Sequence, residues 1–319
     1  MTVGQWLDHW INSIRSEISP KTHESYAEIV RCYLKPALAG IRLDKLTPSN
    51  IQSASNGWTL RSGRPMSQAT RRYIHVILKA SLKRAVQQQA LAQNPAEVFK
   101  KFKVERNKRM LTLTVQQSAR LLETLADSRV YWPVLLALST GMRRGEILAV
   151  RWKDVDLDKA TLRVMQSLEE TRTGGIRFKV PKSNRTRVIA LPAFAAEELR
   201  RLKHIQAQEL LRLGVRQSGD TLVCCREDGE PKHPGSLTSE FRSLLDRFRD
   251  LPRVRFHDLR HSHATQLLAD GIHPKIAQER LGHSTIATTM DLYSHVTDTM
   301  QSDAAARLDA AFKVAIKRP

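Results

Sequence analysis

Residues 281–293 read Leu281-Gly282-His283-Ser284-Thr285-Ile286-Ala287-Thr288-Thr289-Met290-Asp291-Leu292-Tyr293, a Gly-His pair followed by a tyrosine ten residues after His283. A lone tyrosine near a C-terminus is usually a packed aromatic, so its meaning depends on its company. Upstream lies His257-Asp258-Leu259-Arg260-His261-Ser262-His263. On a helix, residues three apart share a face, so His257 and Arg260 project together while Leu259 faces the core. Arginine is a fixed cation whose planar fork suits phosphate oxygens. Histidine exchanges a proton near neutral pH. His257 and His261 also have a spacing used by zinc ligands, but no acidic or cysteine third ligand sits at a usual distance. His261 and His263 can be purely structural.

Further upstream stands Thr140-Gly141-Met142-Arg143-Arg144-Gly145-Glu146. Arg143 follows a glycine turn on the way into a helix, a place where a cation can meet an anion. Glu146 is either a partner that holds Arg143 or an ordinary helix residue. Three β-prone stretches come next, Thr161–Met165, Ile176–Val180 and Arg187–Leu191. Gly174-Gly175 predicts a turn between the first two, and Pro181-Lys182-Ser183-Asn184 one between the last two. Lys182 would ride on that second turn, with Lys179 just before it.

The first hundred residues read as helical. Val3, Trp6, Leu7, Trp10 and Ile14 form one apolar face. Ser19-Pro20 opens a second helix whose face, Tyr26, Ile29, Val30, Tyr33 and Leu34, ends before Pro36. Thr47-Pro48 opens a third. Ser67 caps a fourth with Ile74, Leu78, Leu82 and Ala85 inward, ended by Asn94-Pro95. The polar run 100–109 holds six Lys or Arg and one Glu. It reads as a linker, either solvated or crossing a polyanion. Thr114 with Gln117 gives a capping-box pattern for the first helix of a second domain.

The 319 residues carry 52 Lys and Arg against 32 Asp and Glu, a formal charge of +20 spread over both halves. Such an excess repels itself and suits an anionic partner, most often nucleic acid. The 41% hydrophobic content supports a buried core and argues against wholesale disorder. No apolar run approaches the roughly 20 residues of a membrane span, and MTVGQWLDHW does not resemble a signal peptide. Cys32, Cys224 and Cys225 form no disulfide or zinc-ribbon pattern and suit a reducing cytoplasm.

Arg143, Lys182, His257 with Arg260, Gly282-His283 and Tyr293, in that order, resemble the tyrosine recombinase (phage integrase) family. The flanking stretches FHDLRHSHAT and LGHSTIATTMDLYSHV match it closely, and the N-terminal helices resemble its SAM-like core-binding domain. The resemblance implies a mainly α fold with a small antiparallel β-sheet (α+β). It implies a two-domain, C-shaped DNA clamp: a core-binding domain over 1–99, a linker over 100–112 and a catalytic domain over 113–319. It implies a site-specific recombinase that cleaves and rejoins strands through a 3′-phosphotyrosyl intermediate and a Holliday junction. Tyr293 would be the nucleophile, and Arg143 and Arg260 would clamp the phosphate. Lys182, with Lys179 as the alternative, would protonate the leaving oxygen. His257 would assist proton removal, and His283 would hydrogen-bond the phosphate. No metal or other cofactor is implied.

The implied partners are double-stranded DNA, three further copies of the chain on synapsed DNA, and accessory DNA-bending or directionality factors. The free protein would be a monomer in the bacterial cytoplasm or nucleoid. A C-terminal helix with Leu308, Phe312, Ala315 and Ile316 on one face would pack in its own protomer or on a neighbour. The core-binding pattern begins at residue 3, so the arm-binding domain that many integrases carry ahead of it is expected either to be absent or to have been removed. Two rivals share parts of the pattern. A helix-turn-helix regulator would use Ala264–Leu268, Gly271, Ile276–Leu281 and Thr285–Tyr293 but has no need of Arg143, Lys182 and His257. A type IB topoisomerase shares the Tyr, Arg and Lys chemistry but relaxes one DNA rather than joining two.

Overall fold

The computed structural model describes residues 1–60, 62–99, 111–181, 186–248 and 250–293, with 305–306, 308–310, 312–313 and 316. Contacts divide the chain into two units, Met1–Lys108 with Thr171–Thr173, and Arg109–Glu170 with Gly174–Pro319. The fold is mainly helical with small sheets.

The first unit contains α1 (Val3–Ser13), α2 (Pro20–Ile29), α3 (Lys35–Leu38), α4 (Pro48–Gly57) and α5 (Gln68–Gln87). Thr2, Ser19, Thr47 and Ser67 each accept an orphan backbone N–H at a helix start. The apolar faces of α1 and α5 meet in one core, where Trp6, Leu7, Ile74, Leu78 and Leu82 are all buried. The indole N–H of Trp6 donates to the Ser81 carbonyl at 3.2 Å, so the ring is buried without an orphan donor.

Two boundaries differ from the sequence expectation. The second helix does not stop before Pro36. It runs through a π turn, Val30–Leu34, into α3, which contains Pro36. The wider turn bonds the Lys35 N–H to the Val30 carbonyl and so absorbs a residue that has no N–H to offer. The fourth helix ends at Gln87, before Asn94. Gln89 is left-handed at φ 58°. Ala90 N–H bonds the Ala85 carbonyl at 2.9 Å and Gln89 N–H the Val86 carbonyl at 3.0 Å. This is the paired bonding of a Schellman stop, here made without glycine. Asn94 caps a separate short turn, Pro95–Glu97.

The second unit opens with α6 (Val115–Thr124), capped reciprocally by Thr114 and Gln117. Next come α7 (Tyr131–Thr140) and α8 (Arg144–Ile147), then β1 (Val155–Asp156), β2 (Thr161–Val164), β3 (Ser167–Thr171), β4 (Gly175–Lys179) and β5 (Arg187–Ala190). They are followed by α9 (Ala193–Arg212), α10 (Pro234–Leu245), α11 (Phe256–Ala269), α12 (Pro274–Leu281) and α13 (Ile286–Tyr293). Nearly every residue of α7 is buried, because α6, α8, α9 and α11 all pack on it.

The strands pair differently from the expected order. β2 lies antiparallel between β1 and β5, with Leu162 opposite Ile189, while β3 pairs with β4 in a separate sheet. The Gly174-Gly175 turn therefore joins Ser167–Thr171 to Gly175–Lys179. Strand β3 was not anticipated because its Ser-Leu-Glu-Glu-Thr composition lacks a β-branched run. Leu162, Val164 and Ile189 turn inward at period two and join the main core of this unit. Among the described residues, no helix is long and apolar enough to cross a membrane. Among the described residues no cysteine forms a disulfide; Cys224 and Cys225 are buried and Cys32 is half-buried.

Candidate active site

Two left-handed glycines organise the site. Gly141 (φ 67°) ends α7 and Gly282 (φ 67°) ends α12. A Cβ on Gly141 would lie 2.6 Å from both the His263 ring and Leu281, and one on Gly282 would lie 2.9 Å from the Arg187 guanidinium. Glycine is required at both for conformation and for space. Each exposes a carbonyl to an arginine: Arg260 donates to the Gly141 oxygen at 2.7 Å, and Arg143 to the Gly282 oxygen at 2.9 Å.

Arg143 is the N-cap of α8 and is held from both ends. Its backbone N–H donates to Glu146 at 3.0 Å and its guanidinium to the same carboxylate at 2.8 Å. Glu146 is 1% exposed and also accepts from Arg187, at 3.2 and 2.7 Å. Burial alone would raise the Glu146 pKa, but the Arg187 hydrogen bonds and charge, with Arg143, bring it down to about 2. Arg187 completes its bonding on the Arg280 carbonyl at 2.9 Å. In the sequence Arg187 stands out only as the first residue of a β-prone stretch. A usable signal was present: with Ile189 inward, period two also turns Arg187 inward, and a buried cation demands a partner.

Arg260 is 3% exposed and its Nη2 has no hydrogen-bond partner among the described residues. Burial, then the charge of Arg143, lowers its pKa to about 9, so it remains charged at neutral pH. His257, one turn earlier on α11, is exposed, and its ring sits edge-on to His261 at 4.9 Å between centroids. The two residues expected on one face thus differ in depth, although their neighbours Phe256 and Asp258 are buried; Leu259 is buried, as its position requires. Desolvation, His261 and Arg260 push the His257 pKa down to about 4. The α11 start is fixed by Asp258, which accepts the Arg255 N–H at 2.8 Å.

His283 follows Gly282. Its Nδ1 lies 2.9 Å from the Thr289 hydroxyl. Burial, then Arg260 and Arg143, lower its pKa to about 4, which makes the ring neutral and places it in the field of both arginines. His263 is a structural residue: Nδ1 meets the Leu138 carbonyl at 2.7 Å and Nε2 accepts from Arg280 at 3.1 Å. Lys179 is ion-paired with Glu169, which also holds Arg177. Lys182 lies outside the described residues. So does most of the 100–112 linker, including the whole basic run to Arg109. Tyr293 ends α13, which packs on α11 and α12. At the C-terminus, Leu308, Phe312 and Ile316 are exposed, and Ala315 lies outside the described residues.

Arg143, Arg260 and His283 thus converge from α8, α11 and the end of α12, with His257 beside Arg260. Three guanidiniums, those of Arg143, Arg187 and Arg260, face one buried carboxylate. That surplus of positive charge, with one buried N–H unpaired, suits a bound anion.

Comparison with known proteins gives the family. Residues 111–300 match the model of the phage integrase family, and residues 2–59 that of the phage integrase N-terminal SAM-like domain. A tyrosine recombinase XerC-like protein of Caldanaerobacter subterraneus subsp. tengcongensis is 27% identical, covering 98% of this chain and 84% of its own. The Tn1549 transposon integrase in complex with transposon right end DNA superposes with a TM-score of 0.80 at 22% identity, over 97% of this chain and 100% of that one. A lambda integrase tetramer bound to a Holliday junction gives 0.67 at 21% identity, over 92% and 77%. The family match covers more than half of the sequence, so the chain belongs to the phage integrase family, the DNA strand-transferring tyrosine recombinases.

Proposed function

We propose that this chain is a site-specific recombinase that joins two double-stranded DNAs by tyrosine-mediated strand transfer, through a Holliday junction. The buried, unpaired Arg260 Nη2 beside Arg143 carries the reading. A buried cation with an unused donor is costly unless a ligand completes it. In this reaction the Tyr293 oxygen attacks the scissile phosphorus, and the 5′-oxygen leaves. The product is a 3′-phosphotyrosyl bond and a free 5′-hydroxyl, and attack by a partner strand's 5′-hydroxyl reverses the step. Arg143 and Arg260 bind the non-bridging oxygens, which gain charge in the transition state.

Lys182 protonates the leaving oxygen. Its rival, Lys179, is occupied by Glu169, which favours Lys182. His257, neutral near pH 7, takes up the tyrosine proton, and neutral His283 donates to a phosphate oxygen. The arginines and lysine supply the positive charge, so activity is expected to persist in EDTA.

Residues 1–99 and 113–319 both engage the duplex, joined by 100–112. The chain is a monomer when free and a tetramer on synapsed DNA, helped by accessory bending or directionality factors, in the cytoplasm where such DNA lies. The exposed Leu308, Phe312 and Ile316 give the last helix a face to dock on a neighbouring protomer. Truncation before Asp303 should then abolish tetramers but leave single-site binding. The central test is a nicked suicide substrate with wild type and Tyr293→Phe. The wild type should give an SDS-resistant protein–DNA adduct and the variant none; a wild type that forms no adduct overturns the reading.

A further inference from the structure

We propose that Thr289 is a positioning residue: it donates its hydroxyl proton to Nδ1 of His283 and so fixes the imidazole with its own proton on Nε2, ready to donate to phosphate. The proposal rests on the reading of His283 given above. It adds that the helix carrying Tyr293 also sets the proton of a residue outside that helix.

The geometry comes first. Thr289 is fully buried on α13, one helical turn before Tyr293, and its Oγ1 lies 2.9 Å from His283 Nδ1. The backbone of His283 is fixed independently. Its N–H bonds the Gln278 carbonyl at 3.1 Å, and its carbonyl accepts from the Gln278 side chain at 3.2 Å. The ring can therefore answer to Thr289 without the loop moving.

Proton counting gives the direction. A hydroxyl has one proton to donate, and a neutral imidazole has one N–H and one acceptor nitrogen. His283 is held neutral by burial and by the surrounding Arg260, Arg143, His261 and Arg187. Among the described residues, His283 Nδ1 is the acceptor in reach of the Thr289 hydroxyl. If Nδ1 carried the proton, the hydroxyl would accept, and its own proton would be buried with no acceptor. That is the expensive form of an unmade hydrogen bond. The same arrangement would turn the Nε2 lone pair toward the anion that Arg143 and Arg260 attract. Both penalties vanish when Thr289 donates. Seating α13 therefore brings Tyr293 to its place and sets His283 as an Nε2 donor in one event.

The test compares Thr289→Val, which keeps the shape and removes the hydroxyl, with Thr289→Ser, which keeps the hydroxyl. Adduct formation on a saturating nicked suicide substrate should slow about 10- to 100-fold for Thr289→Val. Duplex affinity should stay within about twofold, and Thr289→Ser within about threefold of wild-type rate, as expected for one neutral hydrogen bond that orients without contacting DNA. Independently, ¹⁵N-histidine spectra of the wild type, with His283 assigned by His283→Gln, should show the Nε2–H tautomer at neutral pH. An Nδ1–H tautomer, a Thr289→Val rate equal to wild type, or a Thr289→Ser rate as low as Thr289→Val would each overturn the proposal. Should Thr289→Val not fold, the wild-type spectrum and the serine variant still decide it. Failure of the wild type itself to form an adduct would instead remove the recombinase reading.

Discussion

The two units bury different things. Among the described residues, the core of the first is almost wholly hydrocarbon, and His75 is its one buried ionisable side chain. The second buries Glu146, Asp154, Asp258, Arg260 and His263. Burying charge costs several kcal/mol per ion before pairing, roughly, and pairing seldom returns more than it cost. The first unit spends its interior on stability. The second gives up some stability to hold a cationic cleft around Gly141 and Gly282, with an Arg260 donor left open. A unit built only for its own fold would have paired that donor.

The strongest way to break this contrast is to remove the reacting groups. Tyr293→Phe should lower covalent adduct formation at least about 1000-fold on a suicide substrate, with duplex binding retained. Arg260→Gln should cost about 100- to 1000-fold in the same assay, as loss of a charge-stabilising donor does. Its effect on duplex affinity in a gel-shift titration should be only a few fold, because most binding comes from phosphate contacts spread over both units. Equal losses of binding and cleavage would mean that Arg260 holds the fold rather than the phosphate.

How far the sequence alone reaches follows the same line. Local signals carried the helices: Thr114 with Gln117, Ser67 and the period of Ile74, Leu78 and Leu82 are readable because caps and faces depend on neighbours a turn away. Arg143, Arg260 and His283 were legible as a motif, and the fold brings them together. The stop at Gln87 was not legible, since a left-handed Gln89 has no compositional mark, nor was the pairing of β2 with β5 across an intervening hairpin. Arg187 and Thr289 were overlooked for a related reason. Period two marks Arg187 as inward, but its partner Glu146 lies 41 residues away and only the folded chain shows their hydrogen bond, while Thr289 sits in ordinary helix composition and its contact with His283 is visible only in the fold.

A smaller effect compares the interiors directly. Leu78→Ala in the first unit should destabilise by about 2–5 kcal/mol, as a lost contact plus a cavity. Glu146→Gln in the second removes almost no volume, yet should cost about 3–5 kcal/mol, because Arg143 and Arg187 lose their shared counter-ion. Denaturant melts of both variants measure this. A Glu146→Gln variant as stable as wild type would show that solvent or the Gly282 carbonyl already satisfies those guanidiniums.

The smallest effect concerns acid. His263 and His283 both have folded pKa values pushed down to about 4, each first by burial. In the unfolded chain a histidine titrates near 6.5, roughly. The unfolded state therefore binds more protons as pH falls through that window. The contribution of these rings is complete above about pH 6.5 and is lost progressively toward pH 4. In the first unit the buried His75 is lowered in the same direction, first by burial. Hydrogen exchange followed by mass spectrometry, corrected for intrinsic rates, should show protection in α11 and α12 falling between pH 7 and pH 5 more steeply than in α1 and α5. A duplex carrying the recombination site should blunt that fall, since a phosphate beside His283 favours the protonated ring and raises its folded pKa toward the unfolded value. Equal acid sensitivity of the two units would mean that buried imidazoles are not what separates them, and insensitivity to DNA would place the anion elsewhere than between Arg143, Arg260 and His283.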